Sequence, residues 1–97
     1  MSTKSYPTKV VLTLTTGRLL CNFSDMHEMC EWLDGGPIFT HQFASKSFVN
    51  NLRMKVFSQH PRLLEVKASE IDKENWQIKR AEYIKKFGSH IELTNVA

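Results

Sequence analysis

Six side chains in this sequence carry nitrogen or sulfur suited to a metal: Cys21, His27, Cys30, His41, His60 and His90. Zinc sites recruit such donors in close pairs, Cys-x-x-Cys or histidines about three to five residues apart, because a tetrahedral ion takes two ligands from one turn. The sequence has neither pair. Its one close couple is His27 and Cys30, three apart, so neither a metal nor a cofactor is expected. A cysteine nucleophile needs an exposed thiolate with a base beside it. His27 is within one helical turn of Cys30, but Cys30 shares an apolar side with Met26, Met29 and Leu33, where a thiol is inert. No nucleophile elbow supports serine chemistry. Glu28 and Glu31 form a carboxylate pair on a face that reads as solvated, without the burial that would shift their pKa values. Gly35-Gly36-Pro37 follows a helix and lacks the Gly-Lys-Ser/Thr of a phosphate loop. The expectation is a protein that is not an enzyme.

The charges are more informative. Every charged residue from Ser24 to Asp34 is acidic (Asp25, Glu28, Glu31, Asp34), and every one from His41 to Arg62 is basic (Lys46, Arg53, Lys55, Arg62). The net charge of +3 is what remains of two opposed patches, which act on partner choice and encounter rate. The acidic set, with Trp32 on its flank, is the expected protein-binding surface, since tryptophan is enriched at interface hot spots. The alternative is nucleic-acid binding through Lys46, Arg53, Lys55 and Arg62 laid along phosphates. In each case the bland reading is a solvated face, with Trp32 packed on the Gly35–Phe39 link. The two patches are also able to meet across a homodimer.

These side chains need elements to hold them. Val10, Leu12 and Leu14 alternate with Val11, Thr13 and Thr15, the period of a half-buried strand. Thr16-Gly17 then reads as a hairpin turn, and pairing Thr15 with Arg18 brings Leu19, Cys21 and Phe23 opposite Leu14, Leu12 and Val10. Ser24 caps a helix running to Asp34, ended by Gly35-Gly36-Pro37. A second helix begins between Thr40 and Lys46, carries Ala44, Phe48, Leu52 and Val56 at spacings of four, and stops before Pro61. Leu63 to Lys67 reads as a short strand. Ser69 caps a third helix that ends at Gly88, with Trp76, Arg80, Tyr83 and Phe87 on one stripe and Ile71 and Ile78 opposite. Ile91, Leu93 and Val96 make a last strand. The expected fold is α+β: a β-hairpin, two helices, then strand–helix–strand, giving about four strands with helices mainly on one face. Residues 1–8 read as a flexible arm before a single domain at 9–97, with a right-handed crossover if the last two strands are adjacent and parallel.

At 97 residues, 41% hydrophobic and with six Phe, two Tyr and two Trp, the chain has enough apolar mass for one core. Two cysteines are too few for a disulfide scaffold. With no leader-like or membrane-length apolar run, a cytoplasmic protein away from membranes is the expectation.

The stretch Leu12-Thr13-Leu14-Thr15-Thr16-Gly17-Arg18-Leu19-Leu20, the later Gly35-Gly36-Pro37-Ile38-Phe39-Thr40-His41, and then Asn75-Trp76, Tyr83 and Phe87-Gly88 resemble small phage-encoded proteins of unknown function. The likeness covers most of the chain and transfers no site residue. It implies a context in which small proteins bind and inhibit a host machine, including defence complexes in the manner of anti-CRISPR proteins. The expected partner is thus a host protein or protein–nucleic-acid complex.

Overall fold

The apolar run after Pro7 is a helix, not a hairpin. In the computed structural model, which describes residues 2–95, α1 spans Thr8–Thr16 and is buried at every position except half-buried Lys9. A helix buried all round has no polar face, so its 3.6-residue period is invisible and β-branched Val and Thr imitate a strand. The threonines remain compatible with burial because their hydroxyls bond backward along the helix. Thr13 Oγ1 donates to Lys9 O at 2.8 Å and Thr16 Oγ1 to Leu12 O at 2.6 Å. Gly17 does adopt a positive φ, 74°, but as the left-handed cap of α1, its N–H donating to Thr13 O.

The chain order is β1 (Ser2–Pro7), α1, α2 (Phe23–Asp34), α3 (Lys46–Gln59), α4 (Trp76–Phe87) and β2 (His90–Asn95), with 3-10 turns at Thr40–Ala44, Pro61–Glu65 and Ala68–Glu70. Helix α1 is the hub: α2, α3, α4 and both strands pack against it. Its Val11 and Leu12 meet Met29, Cys30, Leu33, Leu52, Val56, Leu63 and Leu93 in one core of almost fully buried side chains. Each such burial contributes roughly 1.5–3 kcal/mol.

The expected four-strand α+β sheet is therefore corrected. The described residues hold one sheet of two antiparallel strands, β1 and β2, running in register from Ser2 opposite Asn95 to Pro7 opposite His90. Residues 2–7, expected as an arm, are thus a strand, and its Tyr6 reaches the core. Polar Ser2–Ser5 masked it: all four are exposed, on both faces of the strand, so no apolar alternation marks it before Tyr6. Residues 18–23, expected as the second hairpin strand, instead form a connection that buries Leu20 and exposes Leu19, with Phe23 already the first residue of α2. Leu63–Lys67 falls mostly in the 3-10 turn started by Pro61, not in a strand, so no parallel crossover exists between it and β2. The third helix starts at Trp76 rather than after Ser69; Asp72 and Asn75 tie the preceding turn together. Ile71 is buried ahead of α4, and Ile78 is 63% exposed, so α4 buries one face and not two. Val96, assigned to the last strand, lies outside the described residues.

The rest follows the sequence closely. Met26, Met29, Cys30 and Leu33 form the buried face of α2, and Gly35, with φ 87°, closes it by bonding Glu31 O. The α2 cap is Asn22 rather than Ser24. In α3, Leu52 and Val56 are buried, and Ser45 Oγ accepts the Phe48 N–H as N-cap. The outer edge of β2 is covered by side chains from the end of α3. The Gln59 amide donates to Thr94 O at 2.9 Å and accepts Thr94 N–H at 2.7 Å, standing in for a neighbouring strand.

Candidate functional site

The five acidic-helix candidates divide by their position on α2. Asp25, Glu28 and Asp34 are exposed. Trp32 is half-buried, its ring 5.6 Å from that of Tyr6 on β1, and its backbone carbonyl accepts from the Asn95 side chain. The expected anchor is thus partly engaged within the molecule, where it braces α2 against Tyr6 of β1. Glu31 is half-buried and serves the link instead: its Oε2 accepts the Ile38 N–H at 2.9 Å. One turn earlier, His27 Nε2 donates to Ile38 O at 2.6 Å.

Two bonds to one residue fix the link against α2. Ile38 is buried at 3% exposure, so its side chain, amide and carbonyl are all held. Phe39, the next residue, is 67% exposed. Its N–H donates to Gln42 Oε1 at 2.7 Å, and its ring stacks on His41 at 5.9 Å with an interplanar angle of 10°. The result is a flat aromatic platform on a tethered backbone beside the acidic helix. Phe39 was missed because aromatic residues next to Gly-Pro read as link filler. The available signal was its position: a large ring in a five-residue connection already anchored by Ile38 has little core left to fill.

A second apolar surface lies where α1 ends. A groove of about 270 Å³ is lined by Leu14, Leu19, Phe23, Met26, Phe43 and Val49, with Arg53 at its side. Phe43 meets both Phe23 and His27 edge-on, at 5.4 and 5.5 Å.

The four basic candidates do not form one row. Lys46 and Arg53 line a common cleft of about 300 Å³ with Asn50. Arg53 also turns inward, its Nε donating to Leu14 O at 2.8 Å across to the end of α1. Lys55 lies on the other flank, with Nζ 3.4 Å from Leu33 O at the end of α2. Both cations sit where helix carbonyls lack partners and the helix dipole is negative. Arg62 lies beyond α3, its guanidinium 5.6 Å from the centroid of Phe87.

Burial disfavours the thiolate of both cysteines. Cys30 is fully buried, and burial pushes its thiol up to about 12. Cys21 is half-exposed, and burial again raises it, opposed by a hydrogen bond to Thr13. Among the described residues no group of three or more His, Cys, Asp or Glu could hold a metal ion, and no helix is long and apolar enough to cross a membrane.

A family model described as a domain of unknown function, DUF7736, matches residues 6–66. That span runs from Tyr6 through α1, α2, the link and α3, so it contains both the acidic face and Phe39. No curated protein and no solved structure matches the chain.

Proposed function

We propose that this chain, which belongs to the DUF7736 family of domains of unknown function, is a non-enzymatic binding protein that docks the exposed face of α2 onto a basic protein surface. The observation that carries the reading is Phe39, two-thirds exposed on a backbone that Glu31 and His27 hold in place. Exposed aromatic rings cost binding least when they are already immobilised, and such rings dominate interface energies. Asp25, Glu28 and Asp34 supply charge complementarity, which sets encounter rate and partner choice more than affinity. The mechanism is steric and electrostatic: the acidic helix occupies a basic groove, and the Phe39–His41 platform anchors it. A partner that processes nucleic acid carries such grooves, and blocking one is the inhibitor role that the phage-protein resemblance implies.

The test is an affinity capture from bacterial lysate with three proteins: wild type, the triple variant Asp25→Ala/Glu28→Ala/Asp34→Ala, and Phe39→Ala. Glu31 is left intact because removing it would free the link. The expected result is one captured protein, held about thirtyfold less tightly by Phe39→Ala and associating more slowly with the triple variant. Capture unchanged by both variants would remove this reading. A low-salt electrophoretic shift with DNA or RNA that fades steeply with salt would move the function to the basic residues instead.

A further inference from the structure

On the side of the molecule formed by α4, β2 and the end of α3 lies a cleft of about 360 Å³. One wall is the end of α3 and the turn after it, with His60 and Arg62; the other is the last turn of α4 and the start of β2, with Lys86, Phe87 and His90. Its floor is apolar, because Leu63 and Ile91 are core residues. We infer that this cleft binds a small phosphorylated molecule, its phosphate held at the rim by Arg62, Lys86 and His90 and its organic part laid over Leu63 and Ile91.

Three observations point to an anion. Arg62 and Lys86 both lie over the Phe87 ring, at 5.6 and 5.3 Å from its centroid, so one aromatic side chain holds two like charges at the cleft. Lys86 has a carboxylate partner, Glu65 at 3.1 Å, but among the described residues Arg62 forms no ion pair. An exposed guanidinium immobilised on a ring and lacking a carboxylate retains its forked donors for a phosphate, the geometry it fits best. The histidines differ in availability. His60 Nε2 donates to Glu92 O at 2.5 Å and closes the edge of β2, whereas His90 is engaged at Nδ1 by Ser89 Oγ at 3.0 Å, which leaves Nε2 as the ring nitrogen open to a ligand. Glu92 also lines the cleft, and its backbone carbonyl is the group that His60 bonds. The volume lies in the small-ligand range, and six of the ten lining residues are polar or charged, as suits a charged ligand.

The experiment is a titration of the isotopically labelled full chain, followed by backbone amide shifts. The two probes are inorganic phosphate and adenosine monophosphate, with chloride at equal ionic strength as the control. The expected result is saturable movement of the amides of Arg62, Leu63, His90 and Ile91, at lower concentration for the nucleotide than for phosphate. Arg62→Ala is expected to weaken it about tenfold or more, Arg62→Lys nearly as much, and Phe39→Ala not at all. Arg62 and His90 are exposed, so Arg62→Ala and His90→Ala retain the fold, which the same spectra verify. Equal affinity for both probes would assign the site to free phosphate. No saturable shift with either, a response matched by chloride, or binding unchanged in both Arg62→Ala and His90→Ala would overturn the inference.

Discussion

Cys30 sits on the inner face of α2 with no exposed surface, and desolvation pushes its thiol from the ordinary 9.0 up to about 12, the Asp34 carboxylate adding a smaller push the same way. Because the folded pKa is raised for an acid that ionises to an anion, the unfolded chain loses its proton first. The stability linked to this group is whole below pH 9 and is lost as pH climbs towards 12, at about 1.4 kcal/mol per pH unit. Urea midpoints of the wild type should thus fall between pH 9 and 10, and Cys30→Val should flatten most of that fall. Cys21 and Tyr83, both also raised by burial, supply what slope remains. An equally steep fall in the variant would show that Cys30 is not its source. Burial of Cys30 was legible from its spacing with Met26, Met29 and Leu33. The role of Trp32 was not, because its partner Tyr6 is 26 positions away in a strand that polar residues conceal. Arg53 and Lys55 were legible as cations and illegible as caps: the carbonyls they meet belong to Leu14 and Leu33, on other helices.

At the scale of elements, α1 explains most of what sequence reading missed. Gly17 and the Val–Thr–Leu alternation fit a hairpin and a buried helix equally well, since a left-handed glycine both turns a hairpin and caps a helix. The amphipathic α2 and α3 were readable because each keeps a solvent face. The threonines of α1 now separate by what they hold. Thr13 Oγ1 donates to Lys9 O and accepts the buried Leu20 N–H at 3.0 Å, so Thr13→Val orphans a donor and should cost about 1–3 kcal/mol. Thr15 Oγ1 makes only a 3.4 Å bond to Leu12 O, a carbonyl that Thr16 already occupies at 2.6 Å. Thr15→Val should therefore be nearly neutral. Chemical denaturation of the two variants tests the assignment, and equal costs would contradict it.

Across the whole molecule, the acidic surface comes from the first half of the chain, whereas the Arg62 cleft joins residues 59–63 to residues 86–92. The family match covers the first; much of the second, from Lys86 to Glu92, lies past residue 66. Both depend on the same sheet, since Trp32 rests on β1 and the cleft's His60 is bonded to β2. Deleting residues 2–7 should accordingly abolish cooperative thermal unfolding rather than trim an arm; a deletion variant that melts like the wild type would show β1 to be dispensable. That sheet also has a consequence in time. Ser2 lies opposite Asn95, so pairing the two strands closes a loop of nearly the whole described chain. Helices form from local contacts, whereas this pairing must close the largest loop available to the described chain. The strands are therefore expected to pair late in folding. Until they do, Tyr6, Ile91 and Leu93 remain uncovered, and the newly made chain is at its most vulnerable to sticking to its neighbours.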